Sequence, residues 1–225
     1  MIRWPEGRSV MTGRSSCDSC GRRLAPLELV PVVSIIWLRG RCRGCGARID
    51  RTHLAIELMA GAAGCVAGLL LPGETGAVSA VFGWLLITLA AIDARAFWLP
   101  DRLTLIVAIV GIGVGAAGIG PPLDDRAIGG VLGLAGLWAI NAVYRAVRGR
   151  DGLGGGDGKL LGAIGLWVGW RMQPTVLLIA SLVGLGVVLF WQLAGRKVQG
   201  DDRLPFGTLL AVAAYPAWLA MLWAA

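Results

Sequence analysis

The chain has 225 residues, of which 56% are hydrophobic and only 16% are charged, and its mean hydropathy is +0.70. These values exclude an ordinary soluble domain, in which about a quarter of the residues are charged. They predict a protein that crosses a membrane several times.

Positive charge is concentrated at the start of the chain. Residues 1–52 hold 10 arginines and 4 acidic residues, so +6 of the net charge of +7 lies there. They contain no apolar run of the kind that a cleavable signal peptide requires, so no such peptide is expected. Arginine-rich segments beside membrane helices indicate the cytoplasmic side and suit anionic lipid headgroups. No nucleic-acid-binding signature accompanies the arginines, and nucleic acid is not an expected partner.

Seven apolar segments follow residue 53, at 54–72, 75–92, 103–119, 128–145, 159–171, 174–194 and 205–224. A membrane-spanning helix needs about 20 residues, so the fifth segment is expected to be re-entrant or to cross a thin region. With the first 52 residues in the cytoplasm, 19 of the 21 Lys and Arg fall on the cytoplasmic side, and only Arg126 and Arg171 fall outside. The sequence therefore predicts an all-α polytopic membrane helix bundle at 53–225, preceded by a small cytoplasmic head at 1–52.

The head contains two C-x-x-C pairs, formed by Cys17 with Cys20 and by Cys42 with Cys45. Their spacing is typical of a four-thiolate zinc site, in which each pair binds the metal from a tight turn. Persistent disulfides are disfavoured in a reducing cytoplasm, and four thiolates leave no open coordination position for catalysis. We expect a structural zinc ion, with a redox dithiol as the lesser alternative.

Two aspartates lie at the ends of predicted membrane segments. Asp93 closes the second segment and Asp157 opens the fifth, within the glycine-rich run GGGDGKL at 154–160. Two spans separate them, so both carboxylates emerge on the same face of the membrane. Two neighbouring carboxylates share a proton, and such a pair can activate water against a peptide carbonyl without a nucleophilic Ser or Cys. Ionisable residues at membrane helices are functional candidates, and these two predict an aspartyl protease.

Other interpretations of these acids remain open. Each aspartate alone is also compatible with a helix cap or an interfacial position, and four other acids lie in neighbouring loops, Asp101, Asp151, Asp201 and Asp202. A non-enzymatic transporter or channel could use paired acids to carry protons or cations. An inactive assembly factor could use the head as a docking module.

Four motifs, taken in chain order, resemble those of the prepilin peptidases, the type IV leader peptidases of the GxGD aspartyl protease group. They are LRGRCRGC at 38–45 followed by IEL at 56–58, then ID at 92–93 followed by LPD at 99–101, then GGGDGKL at 154–160, and PFG at 205–207. The resemblance covers nearly the whole chain.

The resemblance implies removal of a short basic leader from prepilins or pseudopilins, on the cytoplasmic side of the bacterial inner membrane. It implies that Asp93 and Asp157 are the catalytic pair. Members that carry the cysteine head commonly also methylate the new N-terminus with S-adenosylmethionine, so the resemblance implies that second activity. The sequence shows no glycine-rich cofactor-binding fingerprint and assigns no residues to it. Neither the set of prepilin substrates nor the oligomeric state is indicated.

The sequence departs from the family pattern in one respect. The family normally has a further membrane helix before the cysteine segment, and the trailing residues of that helix resemble MIRWP at 1–5. The chain is therefore expected to begin where that helix would end.

Overall fold

The computed structural model describes residues 15–196 and 204–224. In these ranges the chain forms a 3-10 turn at Pro26–Leu29 and seven α-helices: α1 (Val33–Trp37), α2 (Arg51–Leu70), α3 (Glu74–Ala96), α4 (Asp101–Ala116), α5 (Leu123–Arg148), α6 (Gly155–Leu193) and α7 (Phe206–Trp223). The described residues form no β-strand, only two isolated bridges in the head. The predicted all-α class is confirmed.

Five of the described helices, α2, α3, α5, α6 and α7, are long and apolar enough to cross a membrane. Helix α4, with 16 residues, matches the third predicted apolar segment but is shorter than the other five. Helix α6 has 39 residues and covers both the fifth and the sixth predicted segments.

Helix α6 is not straight, because its backbone breaks at Gly169. This glycine has φ 71° and ψ 172°, which lies outside the helical region and favours glycine. The side chain of Gln173 donates from Nε2 to the carbonyl oxygen of Leu161 at 3.1 Å. A straight helix would separate these two residues by about 18 Å, so the chain folds back at Gly169 into two arms, 155–168 and 170–193.

Glycines allow α5 to approach the first arm of α6 closely. A Cβ atom on Gly133 would lie 2.6 Å from the carbonyl oxygen of Leu161, and one on Gly165 would lie 2.3 Å from that of Gly129. Small residues permit such backbone contact in membranes, where helices gain little from the hydrophobic effect. This contact fixes the position of the first arm, which begins at the GGGD run.

Helices α3 and α7 run antiparallel in the centre of the bundle. Thr208, at the start of α7, contacts Asp93 near the end of α3, whereas Trp218 donates to Ser79 near the start of α3 at 2.9 Å. Phe82 stacks on Trp167 with ring centroids 4.2 Å apart, and Trp218 packs edge-on against both rings. The aromatic core therefore lies towards the end of the bundle opposite Asp93.

The sequence predicts Arg126 in a loop on the non-cytoplasmic side of the membrane, whereas the structure places it in a helix. Helix α5 begins at Leu123, five residues before the predicted segment, and Arg126 is buried within it. Its guanidinium donates to four backbone carbonyls, those of Gly111, Ile119, Pro121 and Leu166. Positive charge is favourable near helix C-termini. The Arg126 guanidinium joins the end of α4, the following loop and the end of the first arm of α6.

Replacement of Arg126 by Met is expected to destabilise the bundle by roughly 3 kcal/mol or more, because buried carbonyls would lose their donors. Thermal unfolding in detergent, followed by loss of helical circular dichroism, measures the change. Arg171→Gln is the matched control: Arg171 is exposed and pairs with Asp125 at 3.2 Å, so its loss should cost less than about 1 kcal/mol. Equal melting temperatures for the two variants would contradict the stabilising role of the hydrogen bonds made by Arg126.

Candidate active site

The two aspartates lie at the same end of the bundle and are buried. Asp93 is on the last turn of α3 and Asp157 is on the first turn of α6, and their relative exposures are 4% and 7%. They are close enough for their charges to repel one another. The structure therefore brings together the two carboxylates that are 64 residues apart in sequence.

The N-terminus of α7 supplies hydrogen-bond donors to both carboxylates. The backbone N–H of Thr208 donates to Asp93 Oδ2 at 2.7 Å, and the Thr208 hydroxyl lies 3.0 Å from the same oxygen and 3.1 Å from the carbonyl oxygen of Ala90, either of which can accept its proton. The backbone N–H of Gly207 lies beside Asp157 as a further donor. The first N–H groups of a helix have no partner within the helix, and the helix dipole favours negative charge there. The start of α7 is therefore an anion-binding end that both aspartates use.

Gly207 is at a position where a larger residue would not fit. A Cβ atom there would lie 3.0 Å from Asp93 Oδ2 and 2.8 Å from Leu99 Cδ1. Leu99 also packs on Gly156, whose Cβ would lie 3.0 Å from that of Leu99. The Leu99 side chain thus fills the space between Gly156 and Gly207 and separates the start of α6 from the start of α7.

The glycine-rich loop before Asp157 is held by the loop's own aspartate and by α5. The N–H of Gly154 donates to Asp157 Oδ2 at 3.0 Å. Asn141, on α5, accepts from the N–H groups of Gly152 and Leu153 at 2.9 Å and 3.1 Å. These contacts fix the direction in which the chain enters α6 and so fix the backbone of Asp157.

The competing acids occupy different surroundings. Asp101 is exposed and pairs with Lys159 at 2.7 Å, and Asp151 is exposed and pairs with Arg145 at 3.4 Å. Both are surface ion pairs. Asp201 and Asp202 lie outside the described residues.

Sequence reasoning missed Thr208 and Asn141. The PFG motif at 205–207 is the signal that points to Thr208, because a proline before an apolar helix marks a helix start, where free N–H groups point outward. No comparable signal marked Asn141, which is a single polar residue within an otherwise apolar segment.

The four head cysteines form a second cluster. Their Sγ atoms all lie within 4.8 Å of one another, and those of Cys17 and Cys45 are 3.9 Å apart. A tetrahedral site with Zn–S bonds of about 2.3 Å requires S–S separations of about 3.8 Å. The cluster therefore fits a four-thiolate metal site.

Two similar turns build this cluster. Cys17 donates its N–H to Arg22 O and accepts from Gly21 N–H, and Cys42 makes the same two bonds with Ala47 and Gly46, all at 2.8–2.9 Å. Both turn glycines have positive φ, as their positions after the second cysteine of each pair predict. Hydrogen bonds from the N–H groups of Cys45 and Gly44 lower the pKa of the Cys42 thiol to about 6, whereas the neighbouring thiols of the cluster raise the pKa of the Cys45 thiol to about 11.

The head is attached close to the aspartates. Asp50, which caps α2 by accepting from the Thr52 N–H at 2.9 Å, forms an ion pair with Arg95 at 2.5 Å. Arg95 lies two residues after Asp93. The Arg95 hydrogen bond, followed by that from Thr52, holds the pKa of Asp50 well below its usual range. The head and the buried acids therefore lie at one end of the bundle.

Comparison with known proteins gives a consistent result. The type IV leader peptidase family matches residues 80–189, and the bacterial peptidase A24 N-terminal domain matches residues 1–70. The chain is similar to proteins named prepilin leader peptidase/N-methyltransferase: it is 36% identical to that of Aeromonas salmonicida, over 97% of this chain and 74% of the relative. It is 41% identical to that of Dickeya chrysanthemi, over 88% and 70%. No solved structure matches this chain. The chain belongs to the type IV leader peptidase family.

Proposed function

We propose that this protein is a membrane-embedded aspartyl endopeptidase that removes the leader of type IV prepilins or pseudopilins, and that it methylates the new N-terminus. The observation that carries the peptidase is the pair of buried carboxylates at one end of the bundle, both supplied with donors by α7. The relatives' names support the substrate class and the second activity. We assign residues 53–225 to the protease domain and residues 1–52 to a metal-binding head.

The two aspartates share one proton, because two buried neighbouring carboxylates do not both carry charge readily. The ionised member takes a proton from water, whose oxygen adds to the peptide carbonyl carbon. The protonated member gives its proton to the carbonyl oxygen. As the C–N bond breaks, the first carboxyl returns its proton to the leaving amine, and the hydroxyl proton of the re-forming carbonyl returns to the second.

Hydrogen-bond donors lie beside both carboxylates. Asp93 Oδ2 accepts from the Thr208 N–H and has the Thr208 hydroxyl beside it, whereas Asp157 accepts from the N–H groups of Gly154 and Gly207. Hydrogen bonds to a carboxylate favour its charged form. Both carboxylates therefore have donors that favour charge, and either one can be the ionised member that activates water.

Charge sets the orientation of the protein. The basic head and both aspartates lie at one end, and the positive-inside rule places that end in the cytoplasm of a bacterial inner membrane. A substrate helix lying in the same membrane then presents its leader junction at the level of Asp93 and Asp157. A transport function is disfavoured, because the paired acids are not distributed across the bilayer.

The cysteine cluster is assigned as a zinc site held by Cys17, Cys20, Cys42 and Cys45. Zinc bound by four thiolates cross-links the two turns and contributes folding energy to the head. For the methyl transfer, the cofactor implied by the family is S-adenosylmethionine.

Asp93→Asn and Asp157→Asn are each expected to reduce prepilin cleavage at least about a hundredfold, because each removes one of the two proton-transfer groups. The assay is mass-spectrometric detection of the shortened product from purified prepilin and the full chain in lipid. Asp101→Asn, which changes an exposed acid of the same end, serves as the control and should remain active. Cleavage at the wild-type rate by either dyad variant would refute the assignment.

Thr208→Val is expected to lower kcat about tenfold with little change in KM, since a hydrogen bond to a charged group contributes roughly 1.5 to 3 kcal/mol. The variant keeps the backbone N–H bond to Asp93 and loses only the hydroxyl. Thr208→Ser keeps both donors and should retain most of the activity. If the Val and Ser variants turn over at the same rate, the hydroxyl has no part in orienting Asp93.

Purified full-length protein is expected to contain one zinc ion per chain, because the four thiolates complete a tetrahedral site. Elemental analysis measures this directly. Cys20→Ser should lose most of the zinc, whereas Cys65→Ser, which alters the cysteine within α2, should keep it. A metal-free wild type, or full zinc in Cys20→Ser, would rule out the four-thiolate site.

A further inference from the structure

The head carries exposed apolar side chains between its two cysteine pairs. Six large apolar residues there are each at least 40% exposed, and we name them the apolar patch: Leu27, Leu29, Val30, Val33, Ile36 and Trp37. Exposed apolar groups of this extent on a polar segment mark contact with a membrane or with another protein.

A hydrogen bond places the patch at the level where α2 becomes apolar. The N–H of Val32 donates to Glu57 Oε2 at 2.8 Å. Glu57 lies six residues after Arg51, about 9 Å along the axis of α2. It is also the last charged residue of that helix, which continues without charge to Leu70. The patch therefore lies beside α2 at the depth where a membrane helix leaves the headgroup layer and enters hydrocarbon.

Helix α1 has one side turned to the protein and another turned away from it. Ser34 is buried, whereas Val33, Ile36 and Trp37 are exposed on the other side. Tryptophan is enriched at the boundary between lipid and water, where its ring is apolar and its N–H remains near polar groups. The outward side of α1 therefore has the composition of a helix face that lies at the boundary between lipid and water.

The charges beside the patch are positive. Residues 15–50 contain six arginines and three acids, and two of the acids, Glu28 and Asp50, form ion pairs with arginines. Three of the arginines, Arg39, Arg41 and Arg43, follow Trp37 within six residues. Apolar side chains next to arginines suit a membrane surface with anionic headgroups. An apolar protein partner would leave the arginines without a role, and a basic peptide would be repelled by them.

We propose that the apolar patch inserts into the headgroup layer of an anionic membrane and holds the four-cysteine cluster at the membrane surface, at the end of the bundle that carries Asp93 and Asp157. The contact ties the head to lipid at α1 as well as to α2 and α3. It requires neither peptidase nor methyltransferase activity.

The test uses the full chain in lipid nanodiscs that contain phosphatidylglycerol. The emission of Trp37 is obtained as the difference between the wild type and Trp37→Phe. We expect this emission to be quenched by lipids brominated near the headgroup end of their acyl chains and to be protected from aqueous iodide. Quenching by iodide alone would show that the patch faces water, and protection from both quenchers would show that protein covers it; either result overturns the proposal.

Three variants and two lipid compositions distinguish the contribution of apolar insertion from that of charge. Ile36→Asp should lose most of the quenching by brominated lipid, whereas Ile36→Leu should keep it, and zinc retained by both shows that the head is folded. Quenching of the wild type should be stronger in discs with phosphatidylglycerol than in discs of phosphatidylcholine alone, and Arg39→Gln should reduce that difference. Equal quenching in the two lipids would overturn the anionic part of the proposal.

Discussion

The hydrogen bonds between the start of α7 and the two buried aspartates determine how the rest of the bundle is arranged. Two carboxylates buried near each other are costly, and they persist only where donors compensate for the lost water. The N–H groups of Gly207 and Thr208 are such donors. For both to act, the end of α3, the start of α6 and the start of α7 must meet at one point, and glycine at 207 is what allows the approach.

At the opposite end of the bundle, main-chain groups also compensate for a buried charge, but that charge is positive. There the buried charge is the guanidinium of Arg126, and its partners are backbone carbonyls. Helix starts offer free N–H groups and helix ends offer free carbonyls, so main-chain groups can neutralise a buried acid at one end and a buried base at the other. The first arm of α6 is bound at both places, through Asp157 at its start and Leu166 near its end. This double attachment accounts for a short arm that folds back sharply at Gly169.

Much of this arrangement was predictable from sequence, because hydrophobicity and charge act locally. The apolar helices follow from runs of apolar residues, although two of the seven predicted segments form the single helix α6. The position of Asp93 and Asp157 on one face of the membrane follows from counting the spans between them. The turn glycines of the head follow from their positions after Cys20 and Cys45. The burial of Arg126, the loop contacts of Asn141 and the Thr208 hydroxyl were not predictable, because each depends on which backbone groups distant helices bring near it. A polar residue within an apolar segment gives no indication of whether its partner is water, lipid or a carbonyl 40 residues away.

Two contacts connect the head to the helices that lead to the aspartates. The cysteine cluster does not touch Asp93 or Asp157 in the described structure; its contacts with the bundle run through Asp50 to Arg95 and through Val32 to Glu57. Arg95 is in the same final turn of α3 as Asp93, so the ion pair joins the head to the helix end that carries one of the two aspartates. An exposed ion pair alone contributes little to stability, since solvent screens the attraction between its charges. The contacts of the head therefore confine the ends of α2 and α3 mainly through geometry, and a metal held by the four thiolates would make the head more rigid.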